Sequence, residues 1–176
     1  ALPIYTEIYK DISDVYEKKR DFPKAIEAYK NYLDEMKSSP DISDLFLYGR
    51  LNYYAATDSA YQDKQPTYLA EADTIFAQVA VKVPDNYLGN FWRARVNSLR
   101  DPETTQGLAK PYYEAALSIL EQKPDATKSV LVECNSYLGY YYFVKEDYNQ
   151  SKQYWNKILE IDPENETATK ALGGIK

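Results

Sequence analysis

The feature that most constrains the fold of this chain is an internal repeat. Residues 20–29 (RDFPKAIEAY) and 146–155 (EDYNQSKQYW) share one register. Each segment opens with an acidic residue and an aromatic ring, places a small residue three positions later, and adds a large ring four positions after that. This spacing puts the apolar residues on one face of a helix. The small residues are Ala25 and Ser151, and the large rings are Tyr29 and Trp155.

Two further copies of the pattern lie between these segments. The small-then-aromatic step recurs at Ala72–Phe76 and at Ala109–Tyr113. Upstream of each step, residues 46–54 (FLYGRLNYY) align with residues 91–99 (FWRARVNSL). Prolines follow three of the copies, at Pro84, Pro124 and Pro163. A helix pair of this size cannot bury both of its faces alone, so the repeat predicts helix pairs that stack on one another.

The pattern resembles the tetratricopeptide repeat family, whose unit is a helix–turn–helix of about 34 residues. The resemblance covers nearly the whole chain and implies an all-α, right-handed superhelix (solenoid) of about four helix pairs. The expected repeats are residues 6–39, 42–85, 87–124 and 131–165, followed by a capping helix at residues 166–176. The repeat is clearest in the first and last copies, whose marks are Tyr9, Ser13, Tyr16, Ala25, Tyr29, Leu138, Gly139, Tyr142, Ser151 and Trp155.

The chain departs from the family pattern in three places. Insertions separate the two helices of the second copy, at residues 56–69, and of the third copy, at residues 101–107. Asn135 stands where the family often has tryptophan. The chain is expected to be one repeat domain, residues 1–176, taken from a longer or processed protein, because it lacks an initiating Met and begins inside a helix. Its start shows no capping segment beside Ile4, Tyr5 and Ile8.

The resemblance implies a function in protein–protein interaction. In this family the first helices of the pairs line a concave groove that holds an extended peptide or a partner helix. The positions expected to face that groove are Lys10, Asp14, Phe46, Arg50, Tyr53, Phe91, Arg95, Ser136 and Tyr140, with Phe143 on the same face. A family subgroup clamps a carboxylate with two lysines, two asparagines and an arginine. Such a clamp is not expected here, because only the first of the corresponding residues matches, among Lys10, Asp14, Leu47, Leu88 and Trp92.

Arg50 and Arg95 stand out among these positions, because they occupy equivalent places in adjacent copies and each follows a Phe by one helical turn. An Arg beside an aromatic ring can bind a carboxylate through two hydrogen bonds or stack on a ring. The pair therefore indicates a site for an acidic or aromatic peptide segment. The alternative is that each Arg forms an internal ion pair with one of the 27 acidic residues.

Composition argues against several other functions. A net charge of −6 disfavours nucleic-acid binding, which requires a basic face. The chain has no histidine, no glycine-rich phosphate loop and no cluster of metal ligands, so we expect no catalytic residue, no metal site and no cofactor. No apolar run is long enough for a membrane span. The one cysteine, Cys134, is expected in the core.

A glycan-binding module is the rival hypothesis, because tyrosine is abundant, with 19 copies. The tyrosines expected to be exposed for sugar stacking lie near the first insertion, at Tyr53, Tyr54, Tyr61 and Tyr68. The richness in tyrosine together with the lack of histidine hints at a bacterial envelope protein. The partner, the compartment and the oligomeric state stay open at this stage.

Overall fold

The computed structural model describes residues 4–36 and 39–175, with side chains from residue 6 onward. The side chains of Ile4 and Tyr5, and residues 37, 38 and 176 of the predicted repeats, lie outside that part. All regular structure in the described residues is helical, which confirms the predicted fold class. The helices are α1 Ile4–Lys18, α2 Phe22–Glu35, α3 Ile42–Thr57, a short 3₁₀ helix Ser59–Lys64, α4 Gln65–Lys82, α5 Leu88–Arg100, α6 Lys110–Leu120, α7 Lys128–Val144, α8 Tyr148–Ile161 and α9 Glu166–Gly174.

The chain forms two compact units, Ala1–Val83 and Pro84–Lys176. The N-terminal unit contains the pair α1/α2 (repeat 1) and the pair α3/α4 (repeat 2). The C-terminal unit contains α5/α6 (repeat 3), α7/α8 (repeat 4) and the terminal helix α9. Within each unit the second helix of one pair packs against the first helix of the next pair, as stacking requires.

The core of the N-terminal unit joins its two repeats. The ring of Tyr29 on α2 stacks on Tyr48 of α3, with 6.0 Å between ring centroids. Ile75 and Val79 of α4 belong to the same buried cluster. The ring of Tyr29 therefore reaches from repeat 1 into repeat 2. In the C-terminal unit, Tyr113 reaches Tyr137 of α7 in the same way, at 4.6 Å.

Small residues let the two helices of a repeat approach closely. A Cβ atom added to Gly49 of α3 would lie 2.7 Å from the ring of Phe76 on α4, and one added to Gly139 of α7 would lie 2.7 Å from Trp155 on α8. Both rings are buried. These two rings therefore fill the space that the missing side chains leave inside their own repeats.

A serine hydroxyl joins the two helices in repeats 1 and 4. Ser13 Oγ on α1 donates a hydrogen bond of 2.8 Å to the carbonyl of Ala25 on α2. Ser151 Oγ on α8 donates one of 2.8 Å to the carbonyl of Gly139 on α7. Both bonds are buried and both span twelve residues, so the same contact is made from opposite helices. Each hydroxyl satisfies its own hydrogen-bonding need without water.

The turns inside repeats 1 and 4 are also alike. Arg20 and Glu146 each adopt a left-handed backbone conformation, with φ of 59° and 61°. The aspartates that follow them, Asp21 and Asp147, accept the backbone N–H three residues later and so cap α2 and α8. The predicted register of these segments therefore extends to the backbone of the turn.

The two insertions are ordered by buried aspartates. Asp58 caps the 3₁₀ helix by accepting Ala60 N–H at 2.9 Å, and it accepts two hydrogen bonds from Arg20 at 3.1 and 2.7 Å. Asp101 accepts the backbone N–H groups of residues 106, 107 and 108, at 3.0, 2.7 and 3.4 Å. Burial opposes ionisation of Asp101, but these amides outweigh it and hold its pKa below the ordinary value.

Candidate functional site

An apolar cleft between α7 and α9 is the best candidate for a binding site. Its α7 wall is formed by Tyr140 and Phe143, which are 43% and 42% exposed. Trp155 of α8 lies at its base, and the cleft has a volume of about 240 Å³. Its α9 wall is formed by Lys170, Ala171, Gly174 and Ile175.

The cleft gains its shape from the way α9 docks. Ala168 and Ile175 are buried against Trp155 and Ile158 of α8, so the last helix is fixed at both ends. Gly174 adds no side chain, which leaves the space open. Lys170 at the rim pairs with Glu166 at 2.9 Å. The result is an aromatic wall facing a small-residue wall, a form that suits one apolar side chain.

The exposed aromatic surface continues beyond the cleft. Tyr148, at the start of α8, is exposed and its ring lies 5.8 Å from that of Phe143. Exposed aromatic groups that lie together are unusual on a protein that binds nothing, and they commonly mark interaction sites. Of the predicted groove residues, Tyr140 and Phe143 are those that this surface brings together.

Arg95, in contrast, is held by an acidic residue of the next repeat. Its Nε and Nη2 donate to the two carboxylate oxygens of Glu133 on α7, at 2.8 and 2.6 Å. Its guanidinium also lies over the rings of Phe91 and Trp92, at 4.4 and 5.0 Å from their centroids. This is the internal ion pair that the sequence left open as the alternative.

Tyr113 completes this cluster. Its hydroxyl donates to Glu133 at 3.1 Å. Burial, followed by the negative charge of Glu133, raises the pKa of Tyr113 well above its ordinary value. The neighbouring thiol of Cys134 is buried as predicted, and burial raises its pKa to about 12. Such a thiol is a poor nucleophile at neutral pH.

A similar cluster joins repeats 1 and 2. Asp44 of α3 accepts hydrogen bonds from Lys10 Nζ at 3.1 Å and from the hydroxyls of Tyr29 and Tyr32 at 3.3 and 3.2 Å. Burial lowers the pKa of Lys10, but Asp44 outweighs this and leaves it raised. Lys10 therefore holds two repeats together, a role that the sequence did not predict because Asp44 lies 34 residues away.

Arg50 has weaker contacts than Arg95. Its Nη2 lies 3.8 Å from a carboxylate oxygen of Glu17, and its guanidinium lies 5.2 Å from the centroid of Tyr54. Its Nε is buried and has no hydrogen-bond partner among the described residues. The ion pair of Arg50 is thus longer than that of Arg95.

The other predicted groove positions differ in exposure. Phe91 is only 3% exposed and packs against Tyr113, so its prediction as a groove-facing residue is corrected: the ring belongs to the core. Phe46 is half-buried against Phe76. Asp14 is exposed, and Tyr53 and Ser136 are half-buried.

The four tyrosines of the glycan hypothesis are half-buried rather than fully exposed. The rings of Tyr54 and Tyr61 lie 6.4 Å from Phe22, and the Tyr61 hydroxyl donates to the carbonyl of Arg20 at 3.2 Å. Burial raises the pKa of Tyr68. At least two of these rings thus pack the first insertion onto repeat 1.

The described residues contain no group of three or more Cys, Asp or Glu side chains arranged to hold a metal ion. Within residues 4–36 and 39–175, no helix has both the length and the apolar character that crossing a bilayer demands.

Comparison with known proteins supports the repeat pattern. No protein-family model matches the chain, and no curated protein matches it. A crystal structure of the C-terminal part of a TPR repeat-containing protein from Cytophaga hutchinsonii is 32% identical over 95% of this chain, with a TM-score of 0.82. This likeness supports the resemblance of the chain to the tetratricopeptide-repeat family. It spans 60% of the length of that solved chain.

Two other structures share the tetratricopeptide-repeat fold at lower identity. They are MamA 41-end from Desulfovibrio magneticus RS-1 and a MamA RS-1 double mutant, both 18% identical over 99% of this chain and 85% of theirs. Their TM-scores are 0.69 and 0.70. The organisms are consistent with the predicted bacterial origin.

The sequence did not predict the α9 wall of the cleft. The repeat pattern predicts residues 166–176 only as a capping helix. Ala171 and Leu172 were the available signal, since they form a small apolar patch next to Gly173 and Gly174.

Proposed function

We propose that the chain is a non-catalytic scaffold that binds a peptide segment of a partner protein through its first helices. The cleft between α7 and α9 is the anchor. The observation that supports it is the exposure of Tyr140 and Phe143 opposite the small residues of α9. These are first-helix positions at which the family resemblance implies peptide contact.

The size and chemistry of the cleft define the ligand. Sites for free small molecules typically measure about 300–1,000 Å³, and this cleft of about 240 Å³ is smaller. It suits a single aliphatic or aromatic side chain of a peptide. The rest of the peptide would lie along the surface of α7. Arg50 of the N-terminal unit is a separate candidate, independent of this cleft, for contact with an acidic residue.

Selection from a phage-displayed library of random peptides tests the proposal. Peptides with a shared apolar residue are expected, and their binding is then measured by fluorescence polarisation. Tyr140→Ser and Phe143→Ser should each weaken binding at least about tenfold, equivalent to 1.4 kcal/mol. Val81→Ser is the matched control, because Val81 is an apolar residue that is 81% exposed on α4.

Two results would overturn the proposal. One is a selection that enriches no peptide. The other is a set of peptides that bind both cleft variants as tightly as the parent. The double variant Arg50→Ala with Arg95→Ala tests the arginine pair separately. Its thermal unfolding must be measured alongside, because Arg95 also bonds Glu133.

A further inference from the structure

A second cavity of the C-terminal unit lies where the end of α6 and the α6–α7 connection meet α7 and α8. It has a volume of about 260 Å³. Its walls are formed by the apolar side chains of Leu120, Ala126, Leu131 and Ile161, and Asn135 of α7 also lines it. We call this space the Asn135 cavity. It shares no lining residue with the α7–α9 cleft.

Asn135 brings an unsatisfied hydrogen-bond acceptor to the cavity. The residue is 1% exposed. Its Nδ2 donates a hydrogen bond of 2.8 Å to the carbonyl of Leu131, one turn earlier on α7, which fixes the orientation of the amide. Its Oδ1 is buried and has no hydrogen-bond partner among the described residues. Leaving such an oxygen without a donor costs free energy, so a ligand that supplies a donor is favoured.

A similar asparagine in repeat 3 is satisfied by the protein itself. Asn97 of α5 also donates from Nδ2 to the carbonyl four residues earlier, at 2.9 Å. Its Oδ1 accepts a hydrogen bond from Arg100 at 3.3 Å. At Asn135, in contrast, the donor has to come from a ligand or from water.

The charges at the rim of the Asn135 cavity balance. Glu121 and Lys157 form an ion pair at 2.7 Å, and their side chains are 48% and 44% exposed. Lys123 and Glu160 add one exposed charge of each sign. The rim therefore favours neither a cation nor an anion. The donor that Asn135 requires should accordingly belong to a neutral group.

An indole ring meets these conditions. Its N–H is a donor and it has no acceptor atom, so it can satisfy Oδ1 of Asn135 without burying an unpaired group of its own. A phenol or a carboxamide would bring a further acceptor among aliphatic walls, where burial without a partner costs free energy. The cavity is also below the range of about 300–1,000 Å³ that is typical for whole small molecules, so its size suits one side chain.

We propose that the Asn135 cavity binds the indole ring of a tryptophan residue in a partner peptide, with the indole N–H donating to Asn135 Oδ1. At the rim, Lys123 can donate to a carbonyl of that peptide, and Glu160 can accept from one of its N–H groups. This site is separate from the α7–α9 cleft and does not depend on it.

NMR titration of the ¹⁵N-labelled full chain with N-acetyl-tryptophanamide tests the proposal. A ligand of this size is expected to bind with a dissociation constant of about 1 mM or tighter. The matched probe N-acetyl-1-methyl-tryptophanamide keeps the ring but lacks the N–H donor, and it should bind at least about tenfold more weakly. Chemical-shift changes should centre on Ala126, Leu131 and Ile161. The comparison of the two probes on the parent needs no variant.

Asn135→Leu tests the acceptor directly. It should weaken the binding of N-acetyl-tryptophanamide at least about tenfold, so that the two probes bind alike. It should unfold at or above the melting temperature of the parent, because it removes an unsatisfied buried oxygen. Asn149→Leu makes the same change at an exposed position of α8 and should bind both probes like the parent.

Several results would overturn the proposal. A parent that binds neither probe leaves the oxygen of Asn135 to a buried water. Equal binding of the two probes by the parent, or parent-like binding by Asn135→Leu, shows that the N–H···Oδ1 bond is not made. Shift changes confined to Tyr140, Phe143 and α9 place the ring in the α7–α9 cleft instead. Free indole that binds as tightly as N-acetyl-tryptophanamide refutes the contact with the peptide backbone.

Discussion

The guanidinium of Arg95 and the carboxylate of Glu133 form two hydrogen bonds, at 2.8 and 2.6 Å, between the first helices of repeats 3 and 4. Each side chain is 32% exposed, so water screens part of the attraction. A double-mutant cycle with Arg95→Ala and Glu133→Gln should give a coupling energy of about 1 kcal/mol. Urea unfolding of the four proteins measures it, and a coupling energy of zero would contradict the prediction.

Asp44 should matter more to stability than Glu133. It is 3% exposed and accepts hydrogen bonds from Lys10, Tyr29 and Tyr32. Asp44→Ala leaves two buried hydroxyls without an acceptor, and we expect a loss of about 2–4 kcal/mol in the free energy of unfolding. Asp34→Ala is the control: Asp34 is also paired with a lysine, but its side chain is 61% exposed. That change should cost about 0.5 kcal/mol or less, so equal losses for the two variants would contradict this account.

Close helix packing makes Gly49 and Gly139 sensitive to a single methyl group. An added Cβ would meet Phe76 or Trp155 at 2.7 Å, so Gly49→Ala and Gly139→Ala should each destabilise the chain by about 1–3 kcal/mol. Gly173→Ala is the matched control, since nothing lies within 4 Å of its added Cβ. Alanine favours helix over glycine, so that variant should be neutral or slightly stabilising. Thermal unfolding distinguishes these outcomes.

The left-handed turn at Glu146 offers a stabilising substitution. A side chain at φ of 61° costs about 1–2 kcal/mol that glycine does not incur. Glu146→Gly should therefore raise stability, by about 1 kcal/mol or less after the flexibility of glycine in the unfolded chain is included. Arg20→Gly has the same backbone benefit but removes both hydrogen bonds to Asp58, so its gain should be smaller or absent. Chemical denaturation of the two variants should rank them in this order.

The loop around Asp101 should make stability depend on acid. Its folded-state pKa is lowered, because three backbone amides bind the carboxylate and outweigh the cost of burial. The stabilisation is therefore present above its unfolded pKa of about 4 and is lost as the pH falls through the lower folded value. The stability difference between the parent and Asp101→Asn should shrink as the pH falls from about 5 to about 2.5. A difference that stays constant over that range would contradict the assignment.

The sequence predicts what depends on spacing within a helix pair. Small residues such as Ala25 and Gly139, and rings such as Tyr29 and Trp155, follow the 3.6-residue period and are buried as expected. The exposure of Tyr140 follows from the same reasoning. The burial of Phe91 does not follow from this spacing, because its ring is covered by Tyr113 from the second helix of the repeat.

Contacts between repeats are harder to predict. Arg95 and Glu133 are separated by 38 residues, and the lengths of the insertions decide which positions meet. The α7–α9 cleft depends on the angle at which α9 docks, and neither propensity nor periodicity specifies that angle. Tyr61, in the insertion of repeat 2, likewise packs against Phe22 of repeat 1.

The polar clusters between neighbouring repeats make each repeat specific for its own neighbour. In repeat 1, the amine of Lys10 and the hydroxyls of Tyr29 and Tyr32 all donate hydrogen bonds to Asp44 of repeat 2. In the shared alignment the same place in repeat 4 holds Cys134, a thiol that cannot replace a carboxylate. A shuffled chain with repeat 4 directly behind repeat 1 would keep every apolar position and still assemble poorly. The hydrogen bonds between neighbouring repeats thus determine which helix pair can follow which. The array therefore tolerates rearrangement far less than its periodicity alone implies.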